Sequence, residues 1–99
     1  MFKNIKMSEL EKLMQSHKIH IIDCREDDEY EEGHIPGAIL MPTSNFVAHM
    51  NLINKDTEYY VVCLTGARSQ MVARYLDHQG YKVTNVLGGM ITYQGEIEI

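Results

Sequence analysis

The chain has 99 residues, 44% of them hydrophobic and 23% charged, which is typical of one globular domain over residues 1–99. Its formal charge of −5 argues against nucleic acid as a partner, because proteins bind nucleic acid with clustered Lys and Arg. No apolar run reaches the roughly 18 residues of a membrane helix, and the start has no signal-peptide core, so we expect a cytoplasmic monomer with neither nucleic acid nor membrane as a partner.

The first half of the chain alternates between strand and helix patterns. Residues 2–7 predict a short strand, and Ser8 with Glu11 fits a capping box that begins a helix. The isoleucine-rich segment 18–24 predicts a buried strand. The acidic run 25–34 then predicts a short helix that ends at Gly33 and faces solvent along most of its length.

The second half continues the alternation. The predicted elements are a brief strand at 38–41, a helix at 43–53 capped by Thr43 or Ser44, a central strand at 58–63, a helix at 68–79, a last strand at 82–87 and a helical turn at 90–95. In the helix at 68–79 the predicted inward residues are Val72, Ala73, Tyr75 and Leu76, and Gly80 is the C-cap. The alternation predicts a small parallel sheet between helices.

Cys63 stands at the end of the predicted central strand, just before a helix. Ligands bind beyond the carboxyl ends of parallel strands, and N–H groups at a helix N-terminus favour an anion there. A thiolate in this place has a lowered pKa and becomes a nucleophile. The residues predicted to form a cradle around the sulfur are Leu64, Thr65, Gly66, Ala67, Arg68 and Ser69. Cys63 as a small buried apolar side chain is the alternative.

Within that cradle the side chains suggest separate roles. Gly66 allows backbone angles that other residues avoid, and Arg68 can stabilise a thiolate or an anionic substrate. Ser69 or Thr65 can donate a hydroxyl hydrogen to the sulfur. The two cysteines show no spacing typical of a zinc site or a disulfide framework, so we expect no metal and no cofactor.

Four segments together resemble the rhodanese-like domain family. They read IIDCRE, YEEGHIPGAI, CLTGARS and GYKVTNVLGGM, in the family's order and spacing, from Ile21 to Met90. The resemblance implies an α/β fold of three layers, with a central five-stranded parallel sheet flanked by helices. It also makes Cys63 the catalytic position and assigns Asp23 and Arg25 to the family's Asp-x-Arg strand end.

The resemblance further implies sulfurtransferase chemistry of the thiosulfate:cyanide type. The Cys63 thiolate would take the outer sulfur of thiosulfate or of a persulfide donor, and would pass it to cyanide, a small thiol or a protein thiol. Two alternatives stay open, namely a non-catalytic rhodanese-like binding module and a phosphatase or arsenate reductase on the same scaffold. Those two enzymes have a loop one residue longer than the six residues from Cys63 to Arg68, so the count favours sulfur transfer.

Three further residues carry hypotheses of their own. Cys24 is unusual for the family; it is either a packed small side chain or a second thiol that closes a disulfide with Cys63. His34 is expected to bond to backbone rather than to act as a base. Arg25 is read as the structural partner of Asp23, with a contact to an anionic donor as the alternative. With Arg68 as the single cation of the loop, we expect low affinity for thiosulfate.

Overall fold

A computed structural model describes residues 1–99 and contains one five-stranded parallel sheet in the order β1-β5-β4-β2-β3. The strands are β1 (Lys3–Lys6), β2 (His20–Asp23), β3 (Ile39–Leu40), β4 (Glu58–Val62) and β5 (Lys82–Leu87). The α-helices are α1 (Met7–Ser16), α2 (Asp27–Glu31) and α3 (Ala67–His78), and short 3-10 helices cover Thr43–Asn45, Val47–Leu52 and Met90–Thr92. No helix combines the length and apolar character needed to cross a bilayer.

The sheet is covered on both faces, which confirms the predicted three-layer α/β fold. One face packs against α1, with a core of Met7, Leu10, Ile21, Ile35, Ala38, Val62 and Val86. The other face packs against α3 and the 3-10 segments, with a larger core that includes Phe46, Ile53, Val61, Val72, Ala73 and Leu76. β4 lies in the middle of the sheet, as its apolar sequence predicted, because a strand covered on both faces needs apolar side chains in both directions.

The prediction of one helix at 43–53 is wrong. The structure has two short 3-10 helices there, with i to i+3 hydrogen bonds such as His49 N–H to the Phe46 carbonyl at 3.0 Å. Ser44, predicted as a helix cap, instead donates its N–H and its hydroxyl to the carboxylate of Glu26 at 3.2 and 2.5 Å. This attachment ties the start of the segment to the residue that precedes α2, and neither Thr43 nor Ser44 caps a helix.

Two details of the other helices also differ from expectation. α1 begins at Met7 rather than at a Ser8 capping box, because the Lys6 N–H donates to the Glu9 carboxylate at 3.1 Å and the helix follows β1 directly. In α3, Tyr75 was predicted to face inward but is 39% exposed. Its ring meets Phe46 edge-on, with centroids 6.3 Å apart, at the margin of the core.

Candidate active site

Cys63 directly follows β4, which is the central strand of the sheet. It therefore lies at the carboxyl end of the sheet, midway between its two outer strands. The loop that follows reaches α3 after three residues, and the first turn of that twelve-residue helix faces back toward the sulfur. The Cys63 side chain is fully buried beneath this loop. The strand end and the helix start therefore converge on one thiol, as the sequence pattern indicated.

Two backbone N–H groups point at the sulfur. The Gly66 N–H donates to Cys63 Sγ at 3.0 Å, and the Ser69 N–H donates to it at 3.3 Å. Gly66 adopts φ +106°, in the left-handed region, so that the chain turns sharply enough to aim both groups inward. The Ser69 hydroxyl also donates to the Gly66 carbonyl at 3.2 Å, which fixes the turn.

These donors stabilise the charged form of Cys63. Its pKa is lowered to about 4, first by a hydrogen bond from the Cys24 thiol, then by the hydroxyl and the N–H of Ser69 and by the N–H of Gly66; burial acts in the opposite direction. At neutral pH the side chain is therefore a thiolate. Thr65, the other hydroxyl that the sequence offered, is exposed and has no hydrogen bond to the sulfur.

Arg68 forms an ion pair with Glu29. Its Nη1 and Nη2 donate to the two carboxylate oxygens of Glu29 at 2.7 and 2.9 Å, which is a bidentate pair between α3 and α2. The same contact lowers the pKa of Glu29 to about 2. The acidic run was predicted to be mostly a solvated face, and no sequence pattern indicated that Glu29 would lie beside the loop.

Asp23 and Arg25 form a buried ion pair. Arg25 Nη2 lies 2.8 Å from Asp23 Oδ2, and Arg25 Nε donates to both carboxylate oxygens at 3.0 and 3.1 Å. Arg25 Nη2 also donates to the Gly33 carbonyl at 2.9 Å. These bonds occupy Nε and Nη2 of the guanidinium, and they link the end of β2 to the segment after α2. The pair therefore has the structural role that was the first of the two interpretations.

His34 lies in the same segment and takes part in its packing. Its Nδ1 is 2.9 Å from the Tyr30 carbonyl, and its ring stacks on the Tyr30 ring with centroids 3.6 Å apart. Its Nε2 lies 3.4 Å from the Glu98 carboxylate. The prediction that His34 bonds to backbone is confirmed.

The two residues that follow the Gly88-Gly89 pair form hydrogen bonds with the backbone of the loop. The Met90 N–H donates to the Cys63 carbonyl at 2.8 Å, and the Ile91 N–H donates to the Leu64 carbonyl at 3.0 Å. Gly89 has φ +62°, and a Cβ there would lie 2.7 Å from the Cys63 carbonyl oxygen. The Gly-Gly pair that follows β5 was the available sequence signal for this support, although its contact with the loop follows only from the tertiary structure.

Two cavities flank the loop. One of about 390 Å³ lies between α3 and the 3-10 segments, with Phe46, Met71 and Arg68 in its wall. The other, of about 360 Å³, has Arg25 and Leu64 in its wall. No group of three or more His, Cys, Asp or Glu side chains is arranged to hold a metal ion. Both cavities are walled in part by residues of the loop, but Cys63 itself lines neither of them.

The comparisons with known proteins agree with this geometry. The model of the family described as "Rhodanese-like domain" matches residues 6–96. YtwF of Bacillus subtilis is 42% identical over 86 residues, which cover 87% of this chain and 84% of YtwF. The thiosulfate sulfurtransferase GlpE of Coxiella burnetii is 34% identical over 95 residues, which cover 95% of this chain and 89% of GlpE.

A solved structure shows the same fold over the whole length. The crystal structure of a rhodanese-like domain protein from Staphylococcus aureus is 38% identical and superposes with a TM-score of 0.92, covering 99% of this chain and 98% of that one. The relatives named as sulfurtransferases support sulfurtransferase activity in general for this chain. The chain belongs to the rhodanese-like domain family.

Proposed function

We propose that this protein transfers sulfane sulfur through a persulfide on Cys63, from thiosulfate or a persulfide donor to a thiol or to cyanide. The observation that carries the proposal is the pair of N–H groups, at Gly66 and Ser69, that donate to Cys63 Sγ. A thiol held in this way is ionised at neutral pH and reacts as a nucleophile.

In the first step the Cys63 thiolate attacks the outer sulfur of thiosulfate. The bond between the two donor sulfurs breaks, and sulfite leaves with its electron pair. The negative charge then lies on the outer sulfur of the persulfide. The N–H groups of Ala67 and Arg68, which the helix leaves without intrahelical partners, are suited to stabilise that charge.

In the second step an acceptor thiolate or cyanide attacks the outer sulfur, and Cys63 leaves as a thiolate. This departure is easy because the leaving sulfur has a low pKa and returns to its donors at Gly66 and Ser69. No external acid, base or metal enters either step.

The charge arrangement supports a persulfide over thiosulfate as the better donor. Arg68 is paired with Glu29, and Arg25 is paired with Asp23, so neither cation presents its full charge to a dianion. The protein as a whole carries a formal charge of −5, which gives thiosulfate no long-range attraction. Because Cys63 is fully buried, loading also requires the loop to move aside.

The same features weigh against phosphate-ester hydrolysis on this scaffold. A tetrahedral oxyanion needs a wider loop with more N–H groups and a free cation. Here four residues separate Cys63 from Arg68, and the Arg68 guanidinium is held by Glu29 through both carboxylate oxygens.

Intact-protein mass spectrometry tests the proposal directly. Reduced protein is incubated with thiosulfate or with a small organic persulfide, without acceptor, beside a Cys63→Ser variant. We expect the wild type alone to gain one sulfur atom, and cyanide to remove it as thiocyanate. If neither donor adds sulfur to the wild type, the sulfurtransferase proposal fails and the non-catalytic module takes its place.

A further inference from the structure

The two cysteines of the chain directly follow the paired ends of two neighbouring strands. β2 and β4 pair in parallel with Asp23 opposite Val62, and the Cys24 N–H donates to the Val62 carbonyl at 2.9 Å. The residue after Asp23 and the residue after Val62 are both cysteines, so the register, continued by one residue, places Cys24 opposite Cys63. Paired residues of parallel strands point to the same face, and both side chains belong to the same core cluster.

The spacing of this pair suits a disulfide, although both thiols are free. Neighbouring strands lie about 4.8 Å apart, which is within the roughly 4.4–6.8 Å that separates the Cα atoms of disulfide-bonded cysteines. The Cys24 thiol is also the largest of the influences that lower the pKa of Cys63.

The surroundings leave Cys24 as the nearest nucleophile to the inner sulfur of a persulfide. Both side chains are fully buried, so an external thiol reaches Cys63 Sγ only when the loop moves aside, whereas Cys24 lies next to it at all times. An external acceptor meets the outer sulfur on the loop side, whereas Cys24 lies beside Cys63 in the same core cluster. The two sulfur atoms of the persulfide therefore face two different thiols.

We propose that Cys24 is a resolving thiol, which attacks Cys63 Sγ of the persulfide, closes a Cys24–Cys63 disulfide and releases the outer sulfur as hydrosulfide. This inference rests on the proposed function, because it requires the persulfide on Cys63. It adds a second outcome to sulfur loading, the reduction of sulfane sulfur to sulfide when no acceptor arrives.

The step balances in atoms, charge and electrons. The S–H bond of Cys24 and the bond between Cys63 Sγ and the outer sulfur break, and a bond between the two cysteine sulfurs forms. The outer sulfur leaves with the bonding electron pair and with the Cys24 proton, as HS⁻. The sulfane sulfur is reduced, the two cysteines are oxidised to a disulfide, and a small-molecule thiol reductant restores both thiols for the next cycle.

Resolution is slower than transfer to a good acceptor. Contact with the Cys63 sulfur and burial raise the pKa of the Cys24 thiol, so it stays protonated while Cys63 is a thiolate. Once sulfur is loaded, the charge moves to the outer sulfur. The Cys24 proton is then no longer held by the Cys63 thiolate, and it becomes available to the leaving sulfide.

The test uses wild type, Cys24→Ser and Cys24→Ala loaded with an organic persulfide, freed of donor and incubated without acceptor. Cys24→Ser keeps a hydrogen-bond donor beside Cys63 but cannot form a disulfide, so it separates resolution from thiolate stabilisation. We expect the wild type to lose the added sulfur, to end two hydrogens lighter than the reduced protein, and to release hydrosulfide in equal amount. Both variants are expected to retain the persulfide.

Peptide mapping without reductant is expected to find Cys24 linked to Cys63 in the wild type. A wild-type persulfide as long-lived as that of Cys24→Ser overturns the resolving role and leaves the proposed function intact. Sulfide release without the loss of two hydrogens overturns it as well. If no protein gains sulfur at the loading step, the proposed function fails and the resolving role fails with it.

Discussion

Arg68 and Glu29 are joined through both carboxylate oxygens, with Nη1–Oε1 and Nη2–Oε2 distances of 2.7 and 2.9 Å. The pair connects the first turn of α3 to α2, so the single cation of the segment from Cys63 to Ser69 is neutralised by the helix beside it. The two side chains are 33% and 26% exposed, and the pair therefore contributes less than about 1 kcal/mol to stability. Its main consequence is electrostatic.

Glu29→Gln is expected to raise kcat/KM for thiosulfate about threefold to tenfold at low ionic strength, because the positive charge of Arg68 is then uncompensated. Steady-state thiocyanate formation measures this. Glu31→Gln is the matched control, since it removes the same charge from an exposed position on the same helix. Equal gains in the two variants would contradict local pairing as the cause.

The ionisation of Cys63 is expected to have its midpoint near pH 4, which the thiolate absorbance of the wild type minus that of Cys63→Ser measures. The sign follows from the lowered pKa: above the midpoint the sulfur is charged and reactive, and below it the thiol is neutral. Sulfur loading should therefore be constant across neutral pH. A midpoint near the ordinary value of about 8.5 would show that the cradle does not act on the sulfur.

Cys24→Ala should raise that midpoint, because the Cys24 thiol is the largest single contribution to the lowered pKa of Cys63. Cys24→Ser, which keeps a donor, should leave it closer to the wild type. The same absorbance titration compares the three proteins. Identical midpoints in Cys24→Ala and the wild type would be inconsistent with a hydrogen bond between the two sulfurs.

Ser69→Ala removes the hydroxyl that donates to the Gly66 carbonyl and helps to lower the pKa of Cys63, but leaves the Ser69 N–H in place. Since one such hydrogen bond is worth about 1 kcal/mol, the Cys63 pKa should rise by about one pH unit. The thiol stays ionised at neutral pH, so the loading rate changes mainly in acid. Thr65→Ala, at the exposed hydroxyl of the same loop, serves as the control and should titrate like the wild type.

Gly89→Ala is expected to destabilise the fold by about 1–3 kcal/mol, because the new Cβ would press on the carbonyl groups of Leu64 and Cys63 at a position with φ +62°. Urea unfolding gives the free energy. Gly37→Ala is the matched control, since Gly37 also has a positive φ, +81°, but a Cβ there has no neighbour within 4 Å. If both variants lose the same amount, strain alone explains the effect and contact with the loop does not.

The sequence by itself determined the order of strands and helices along the chain and the position of the thiol at the end of a strand. A buried β-branched strand, a cysteine, a glycine loop and a helix are local patterns, so β4, α3 and the loop between them could be read from neighbouring residues. The Gly66 turn and the Ser69 donor follow from the same stretch. The helix predicted at 43–53 failed because Glu26, distant in the chain, takes the groups of Thr43 and Ser44 that would cap it.

Only the tertiary structure decided what surrounds the thiol. The pairing of Arg68 with Glu29 spans 39 residues of chain, and nothing in the acidic run distinguishes Glu29 from its neighbours. The position of Cys24 opposite Cys63 depends on the register of β2 against β4, which is set by packing across the whole sheet. A shift of that register by one residue would turn Cys24 to the opposite face and away from the sulfur.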